Sequence, residues 1–193
     1  MPLPLVLAST SAFRSELLNK LQLKFIQDNP NCDETPFNNE TAPQLAARLA
    51  IAKAQALAHQ YPHHLIIGSD QVATFAGQLI GKPLTHDKAV QQLSSFSGQA
   101  IDFYTGLCLF NSFTGHIQSI VECFRVYFRV LDAAQIERYL QAEQPYFCAG
   151  SFKSEGLGIC LFKKLEGNDP NSLIGLPLIQ LVTMLHNEGV NVP

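Results

Sequence analysis

Long hydrophobic runs, basic clusters and paired cysteines are missing from this 193-residue sequence. No apolar stretch reaches the roughly 18 residues of a membrane-spanning helix, so the sequence predicts no membrane span. Lysine and arginine together number 13 against 16 aspartates and glutamates. Arg125 and Arg129 alternate along one predicted strand, but two arginines without a wider basic field make a poor phosphate track. We therefore expect no nucleic-acid or membrane partner.

The cysteines and histidines show no spacing that is typical of a disulfide framework or a zinc site. The five cysteines are scattered without a C-x-x-C pair, and the six histidines have no ligand spacing. Such a set fits reduced thiols and predicts a cytoplasmic protein. The sequence also lacks G-x-x-x-x-G-K-S/T and G-x-G-x-x-G, which argues against a P-loop nucleotidase and against a dinucleotide-binding fold.

The hydrophobic patterns that are present predict alternating strands and helices, followed by long strands. The chain is 47% hydrophobic, enough for one large domain or two small lobes with a substantial core. Strands are predicted at residues 4–8, 24–27, 65–70, 101–111, 117–131 and 157–163. Helices are predicted at 13–21, 41–60, 85–96 and 132–141, and from 177 onward. This order indicates a mixed α/β (α+β) fold.

Lys53 lies on the apolar side of the alanine-rich helix predicted at 41–60. The polar stripe of that helix lies on the opposite side and consists of Gln44, Arg48, Gln55 and His59. A lysine on a buried face must either extend its ammonium to water or meet an anion. Asp70 follows the apolar run 65–67, which predicts a carboxylate at the end of a buried strand. A snorkelling lysine and a turn aspartate would explain either residue alone, but together they indicate a site for a charged ligand.

Two further segments place charge beside small or hydroxyl side chains near the N-terminus. Ser9 precedes a predicted helix start, where hydroxyl and free N–H groups favour an anion, and Arg14 one turn later can bind the same anion. Many ordinary helices also begin in this way. Glu34 belongs to an acidic pair in a polar loop, and a solvated turn is the alternative interpretation.

Two more segments with charged residues follow later in the sequence. Lys82 follows a hairpin predicted from Gly77 and Gln78, and the Gly-rich segment 150–156 carries Lys153 and Glu155. Glycines let the backbone approach a ligand closely. Lysines of this kind suit a polyphosphate, and carboxylates suit a Mg²⁺-type ion that prefers oxygen ligands and substrate phosphates.

These segments, in this order, resemble the Maf family of nucleotide pyrophosphatases. The matching stretches are L-A-S-T-S-A-F-R at 7–14, D-E-T at 33–35, A-x-x-K-A at 50–54, I-I-G-S-D-Q-V at 66–72, G-K-P at 81–83, Y-T-G at 104–106, C-A-G-S-F-K-S-E-G at 148–156 and N-S-L-I-G-L-P-L at 171–178. They span nearly the whole chain and involve many separate motifs, so the resemblance is highly specific.

The resemblance implies a fold similar to that of inosine-triphosphate pyrophosphatase. Residues 1–193 would then form one domain, with a mixed twisted sheet and helices in two lobes around a deep cleft. It also implies hydrolysis of a nucleoside triphosphate between the α and β phosphates with Mg²⁺ or Mn²⁺. Asp70 would be catalytic, as general base or as metal ligand, and Glu34 would share the metal. The implied phosphate-binding residues are Ser9, Arg14, Lys53, Lys82 and Lys153.

Three variable positions of the family indicate which nucleotide base the substrate carries. The branch that acts on dTTP and UTP has Arg, Thr and Gln there, whereas the 7-methyl-GTP branch has Trp, Gln and Glu. This chain has Phe13, Gln71 and Glu155, which agrees with the second branch at two positions and keeps an aromatic ring at the third. An aromatic face can stack on a cationic methylated guanine, and a carboxylate can accept from its N–H groups.

Two alternatives stay open beside 7-methyl-GTP hydrolysis. One is a housecleaning pyrophosphatase of broader or pyrimidine (dTTP and UTP) preference, and the other is a non-catalytic nucleotide-binding regulator. Retention of Asp70, Glu34 and the lysines argues against a regulator, because binding alone needs no carboxylate at the scissile bond. The sequence leaves the preferred metal open and does not decide between a monomer and a homodimer.

Overall fold

A computed structural model describes residues 3–193, which form a seven-stranded mixed sheet with six α-helices. The strands are β1 (Leu5–Ala8), β2 (Phe25–Asp28), β3 (Leu65–Phe75), β4 (Gln78–Ile80), β5 (Ala100–Asn111), β6 (Ile117–Phe128) and β7 (Phe162–Glu166). The helices are α1 (Ala12–Asn19), α2 (Ala42–Ala56), α3 (His86–Phe96), α4 (Ala133–Glu143), α5 (Pro170–Ile174) and α6 (Leu178–Asn187). The predicted mixed α/β fold is confirmed. None of the helices described is long and apolar enough to cross a membrane.

The strand order of the sheet is β2-β1-β3-β5-β6-β7, with β4 paired to β3. Strand β1 runs parallel to both β2 and β3, while β4 and β7 run antiparallel to β3 and β6. The parallel ladder of β1 and β3 ends where Ala8 lies opposite Gly68. Asp70 therefore lies two residues after the end of this ladder, although β3 itself continues.

The chain divides into two compact units. Unit 1 comprises Met1–Gln71, Tyr104–Glu122 and Asp169–Pro193, and unit 2 comprises Val72–Phe103 and Cys123–Asn168. The single two-lobed domain that the sequence predicts over residues 1–193 stays a prediction.

Two hydrophobic clusters cover the two faces of the sheet in unit 1. Successive strand residues point to opposite faces, so Leu7 and Ile67 belong to one cluster while Val6 and Ile66 belong to the other. Helices α1 and α6 contribute to the first cluster and α2 contributes to the second. Because both faces are covered, β1 and the first half of β3 consist of continuous apolar runs rather than alternating ones.

Glycines let α2 lie directly against the sheet. A Cβ atom at Gly68 of β3 would lie 2.1 Å from the carbonyl oxygen of Ala50, and one at Gly106 of β5 would lie 2.1 Å from that of Ala46. Both distances are far below van der Waals contact, so any larger residue would push the helix away. This close approach brings Lys53 of α2 to the β3 residues that follow Gly68.

The core of unit 2 is built largely from phenylalanine rings. They meet edge to face or tilted, with centroids 4.8–5.8 Å apart, and include Phe75, Phe96, Phe103, Phe128, Phe152 and Phe162. Such pairs stabilise a core beyond the area they bury. Helices α3 and α4 add the buried residues Leu93 and Leu140.

Several predicted element boundaries are wrong. The helix predicted at 41–60 ends at Ala56, because Ala58 and Gln60 donate their N–H groups to carbonyls three residues back in tight turns. Strand β3 continues to Phe75, so Asp70 lies within a strand rather than at its end. Strand β6 ends at Phe128 rather than at residue 131, which leaves Val130 86% exposed.

The strand predicted at 157–163 is also displaced. Residues Leu157–Leu161 form a 3₁₀ helix, and β7 begins only at Phe162. The N–H of Gly158 donates to the carbonyl of Lys153 at 3.1 Å, which turns the chain before it can extend. Helix α5 was not predicted, because its five residues are too few to show a helical period.

Candidate active site

The site in unit 1 is centred on Lys53, which is only 6% exposed. Its Nζ lies 2.6 Å from Oδ1 of Asp70 and 2.7 Å from Oε1 of Glu34. The ammonium group therefore lies between two carboxylates. Of the two outcomes that the sequence leaves open for a lysine on this face, the ammonium meets anions, here two carboxylates of the chain itself.

Asp70 is placed by strand β3 and is 7% exposed. The preceding residue, Ser69, points to the other face of the sheet, where its hydroxyl donates to the carbonyls of Gly106 and Gly175 at 2.8 and 2.9 Å. These bonds fix the backbone of β3 beside Asp70. The carboxylate thus has a defined position, with its Oδ1 bound by Lys53.

Glu34 approaches Lys53 from an exposed loop. Its side chain is 59% exposed, in contrast to that of Asp70. The carboxylate of Asp33 accepts hydrogen bonds from both the N–H and the hydroxyl of Thr35, and these bonds lower the pKa of Asp33. Arg48 of α2 donates to the carbonyl of Thr35 at 3.0 Å. The loop is therefore fixed on both sides of Glu34.

Arg48 also anchors the end of this loop. Its guanidinium donates to both carboxylate oxygens of Glu40, at 2.6 and 2.8 Å, and these hydrogen bonds lower the pKa of Glu40 to about 2. The ring of Phe37 lies 3.9 Å from the guanidinium carbon, a cation–π contact. Sequence reasoning saw Arg48 only as part of a polar stripe, because its partners lie outside the helix.

Arg14, with the neighbouring Ser9 hydroxyl, belongs to the same site as Lys53, Asp70 and Glu34. The Arg14 guanidinium donates to the carbonyl of Gly175 at 2.9 Å and, more weakly, to the hydroxyl of Ser9 at 3.4 Å. Burial lowers the pKa of Arg14, while the negative charges of Asp70 and Glu34 raise it. Unit 1 therefore brings together two cationic and two anionic side chains.

Gln71 holds the segment that contains α5. Its Nε2 donates to the carbonyls of Ser172 and Leu173, both at 2.9 Å, and to the hydroxyl of Thr105 at 3.1 Å. The sequence had offered Gln71 only as a base-specificity residue. Its amide N–H groups donate to backbone carbonyls, which fixes the position of the side chain. A role of Gln71 in base selection would therefore be that of a side chain with a fixed orientation.

Phe13 lies on α1, one residue before Arg14, and is 38% exposed. Part of its ring is accessible to a ligand. That exposure is compatible with the predicted stacking on a base, which stays a prediction.

The other predicted residues lie in unit 2. Lys82 is exposed after β4, and Glu155 is exposed with its Oε2 3.2 Å from the hydroxyl of Ser154. The ammonium of Lys153 lies 3.3 Å from Oε1 of Glu143, a partner that sequence reasoning missed. Burial raises the pKa of the Cys148 thiol, and smaller contributions come from Lys153, Glu155, Lys82 and Glu143. The charges of these four residues therefore all act on the Cys148 thiol.

A divalent cation would fit the carboxylates of unit 1 only with help from a substrate. Across residues 3–193, no group of three or more His, Cys, Asp or Glu side chains could hold a metal ion. Glu34 and Asp70 both reach Lys53 and offer hard oxygen donors. Mg²⁺ is commonly held by one or two carboxylates, with water and substrate phosphates completing the shell. This donor set matches that arrangement.

Comparison with known proteins shows the family to which the chain belongs. Residues 4–188 match the family model described as Maf-like protein. A protein of Aliivibrio fischeri named 7-methyl-GTP pyrophosphatase is 56% identical over 97% of both chains, and one of Pseudomonas savastanoi pv. phaseolicola with the same name is 58% identical over 98% of both. A solved HAM1 protein from Coxiella burnetii shares the fold, with a TM-score of 0.54 and 16% identity over 96% of this chain and 99% of that one. Since the family model covers most of its length, the chain belongs to the Maf family.

Proposed function

We propose that this protein is a nucleoside triphosphate pyrophosphatase that hydrolyses 7-methyl-GTP to 7-methyl-GMP and diphosphate. The observation that carries the chemistry is the buried Lys53 between the carboxylates of Asp70 and Glu34. A core that only had to be stable would place an apolar side chain there, because desolvating an ion pair is costly. The choice of 7-methyl-GTP is supported by the name of the two bacterial relatives and by the residues at the three variable positions.

Asp70 is the catalytic carboxylate of this proposal. It either accepts the proton of the attacking water or would hold a divalent ion, which would activate that water. Water forms a new bond to the α phosphorus while the bond from that phosphorus to the α–β bridging oxygen breaks. Diphosphate leaves with the bridging oxygen, and the proton of the water passes to the Asp70 carboxylate or to solvent. Because Lys53 fixes Oδ1 at 2.6 Å, the reactive group keeps one orientation. Preorganised charge of this kind is the usual source of large rate effects.

The phosphate groups are bound by one arginine, three lysines and one serine hydroxyl. Ser9, Arg14 and Lys53 take phosphate oxygens in unit 1, and we assign the same role to Lys82 and Lys153. Arginine provides a fork of donors and lysine a compact charge, and both bind phosphate well. Glu34 and Asp70 would hold a Mg²⁺ or Mn²⁺ ion, which would neutralise phosphate charge.

Removal of the metal is expected to abolish turnover without unfolding the protein. Excess EDTA should eliminate diphosphate release while the circular dichroism spectrum is unchanged, because no core contact depends on the ion. Glu34→Gln should raise the Mg²⁺ concentration for half-maximal activity by about tenfold or more, since even partners outside the metal shell change affinity by that much.

Asp28→Asn is the matched control for Glu34→Gln. Asp28 is a carboxylate of unit 1 that binds Gln60 and Tyr61, away from Lys53. Its replacement should leave the metal requirement unchanged. Full activity in EDTA, or a Glu34→Gln enzyme with the wild-type metal requirement, would remove Glu34 from the site.

Base selection is assigned to Phe13, Gln71 and Glu155. Methylation at N7 gives the guanine ring a positive charge, which favours both stacking on Phe13 and proximity to the Glu155 carboxylate. Cation–π stacking contributes about 0.5–1 kcal/mol at an exposed face and about 2 kcal/mol when desolvated. Because about 1.4 kcal/mol corresponds to tenfold, stacking alone gives only modest discrimination. Glu155 must supply much of the remainder.

A substrate panel tests this assignment. The kcat/KM of the purified enzyme should be higher for 7-methyl-GTP than for GTP, dTTP or UTP. Glu155→Gln should reduce the preference over GTP by about tenfold, as expected for one charge-assisted hydrogen bond, and leave GTP turnover largely intact. Phe13→Trp should hold or improve the preference.

Glu166→Gln, an exposed carboxylate of unit 2 paired with Lys164, is the control and should leave the preference unchanged. A higher kcat/KM for dTTP or UTP would instead favour the broader or pyrimidine pyrophosphatase. No diphosphate release from any triphosphate would favour the non-catalytic regulator.

We also place the enzyme in the cytoplasm, because all five of its cysteines are free thiols. The homodimer stays a prediction, and the sedimentation coefficient of the purified protein tests it.

A further inference from the structure

The last turn of helix α4 contacts the segment that carries two of the proposed ligand-binding residues. Tyr139 and Glu143 are four residues apart and therefore lie on one face of α4. Tyr139 is 6% exposed, and the side chain of Glu143 is 16% exposed. Neither residue has a role in the proposed chemistry, yet both are held against the segment 153–157.

Glu143 binds both ends of this segment. At its start, the Lys153 ammonium lies 3.3 Å from Oε1 of Glu143 and 3.3 Å from the Glu143 carbonyl oxygen. At its end, the N–H of Leu157 donates to Oε2 of Glu143 at 2.8 Å. The N–H of Lys153 donates in addition to the Tyr139 hydroxyl at 3.1 Å. A single carboxylate thus closes a five-residue loop whose middle residue is the exposed Glu155.

The fit between Glu143 and the loop is close. A Cβ atom at Gly156 would come within 2.7 Å of Oε2 of Glu143, so only glycine lets the loop pack on this carboxylate without displacing it. The packing fixes the backbone on either side of Glu155. Glu155 itself is exposed, and its Oε2 accepts a hydrogen bond from the adjacent Ser154 hydroxyl at 3.2 Å.

Glu143 also competes with Glu155 for one cation. Lys153 is two residues from Glu155 in the sequence, and its ammonium is carried on a flexible four-carbon stem. In the structure it pairs with Glu143. If the Lys153 ammonium paired with Glu155, it would offset the negative charge that attracts a cationic base. Because this effect weakens as the two charges separate, holding Lys153 at Glu143 leaves more of the Glu155 charge available.

We propose that Glu143 is a positioning residue for base selection, which holds Lys153 and the Leu157 amide so that the Glu155 carboxylate stays available to the methylated guanine. This inference rests on the proposed function, since it gives Glu155 the role assigned above. Glu143 acts through Glu155 and Lys153 rather than by touching the substrate.

Two variants separate the two contacts of Glu143. Glu143→Gln keeps an oxygen that accepts from Leu157 but loses the charge that holds Lys153. It should lower the kcat/KM preference for 7-methyl-GTP over GTP by about fivefold, with little change in the exchange rate of the Leu157 amide. Glu143→Ala loses both contacts and should also speed Leu157 amide exchange by about tenfold, as expected for an amide freed from its acceptor.

Glu137→Gln is the control on the same helix. Glu137 pairs with His86 and does not contact the loop, so its replacement should change neither the preference nor the Leu157 exchange rate. A merely structural role for Glu143 would lower the thermal midpoint and the turnover of both nucleotides alike, without changing their ratio.

The decisive comparison is a double-mutant cycle. If Glu143 acts through Glu155, then Glu143→Gln should produce no further change in the preference when Glu155 is already glutamine. An equal change in both backgrounds, or unchanged Leu157 exchange in Glu143→Ala, would overturn the inference. A wild-type enzyme without any preference for 7-methyl-GTP would overturn the proposed substrate instead, and the Leu157 exchange rate, measured without substrate, would still decide whether Glu143 holds the loop.

Discussion

Replacement of Asp70 by asparagine is expected to reduce turnover by at least about a hundredfold, because general-base catalysis contributes about 10²–10⁴-fold. The amide cannot accept the proton of the attacking water and is a much weaker metal ligand than a carboxylate. The fold should survive, since asparagine has nearly the same volume and its amide oxygen can still accept from Lys53. Glu34 remains as a countercharge 2.7 Å from the Lys53 ammonium.

The measurement is kcat for diphosphate release, together with the thermal midpoint of each variant. Asp102→Asn provides the control, because Asp102 also pairs with a basic side chain, Arg125, but lies in unit 2 and outside the proposed site. Its turnover should match that of the wild type. An Asp70→Asn enzyme with turnover within about tenfold of the wild type would contradict a catalytic role for Asp70, since that loss is smaller than a general base provides.

Lys53→Met should abolish turnover and lower stability. From the sequence alone, removal of a costly buried lysine is expected to preserve or raise stability. The structure reverses this expectation, because Lys53 is the partner of Asp70, which is 7% exposed and would lose it. Loss of one partner from a buried pair destabilises a protein by about 3–5 kcal/mol. The loss of stability should lie near the lower end of this range, because Glu34 is exposed to water and the charge of Arg14 partly compensates Asp70.

A second variant separates stability from catalysis. Lys53→Met combined with Asp70→Asn removes the unpaired carboxylate, so it should recover much of the lost stability while remaining inactive. Urea denaturation and diphosphate release measure the two effects. If Lys53→Met lowers stability but leaves catalysis intact, the lysine is structural and takes no part in the reaction.

The central pair of the site could be predicted from the sequence because it violates a simple pattern. Lys53 lies on the apolar side of a helix, and Asp70 interrupts an apolar strand. Each violation is visible in a window of a few residues. Helical periodicity gave the face of Lys53 correctly even though the end of α2 was misplaced by four residues, since the face depends on the period and not on the boundary.

The contacts that hold the site depend on tertiary structure and have no local signal. Gly68 looks like a turn residue in the sequence, yet it lies within β3 because α2 packs on it. Arg48 and Glu143 look like solvated helix residues. Each of them binds a loop outside its own helix, at a position that helical periodicity does not reveal. The loop groups that they bind in these contacts, the carbonyl of Thr35 and the N–H of Leu157, belong to the backbone, and such a group is present at nearly every position of a chain. No pattern of side chains could have identified them.

The products of the reaction test the central claim most directly. Phosphorus NMR of purified enzyme incubated with 7-methyl-GTP and Mg²⁺ should show 7-methyl-GMP and diphosphate in equal amounts, with no orthophosphate released by the enzyme itself. Asp70→Asn, stopped at the time when the wild-type enzyme has just consumed its substrate, should leave nearly all of the substrate intact. Formation of 7-methyl-GDP and orthophosphate, or an unchanged substrate spectrum with the wild-type enzyme, would contradict cleavage between the α and β phosphates.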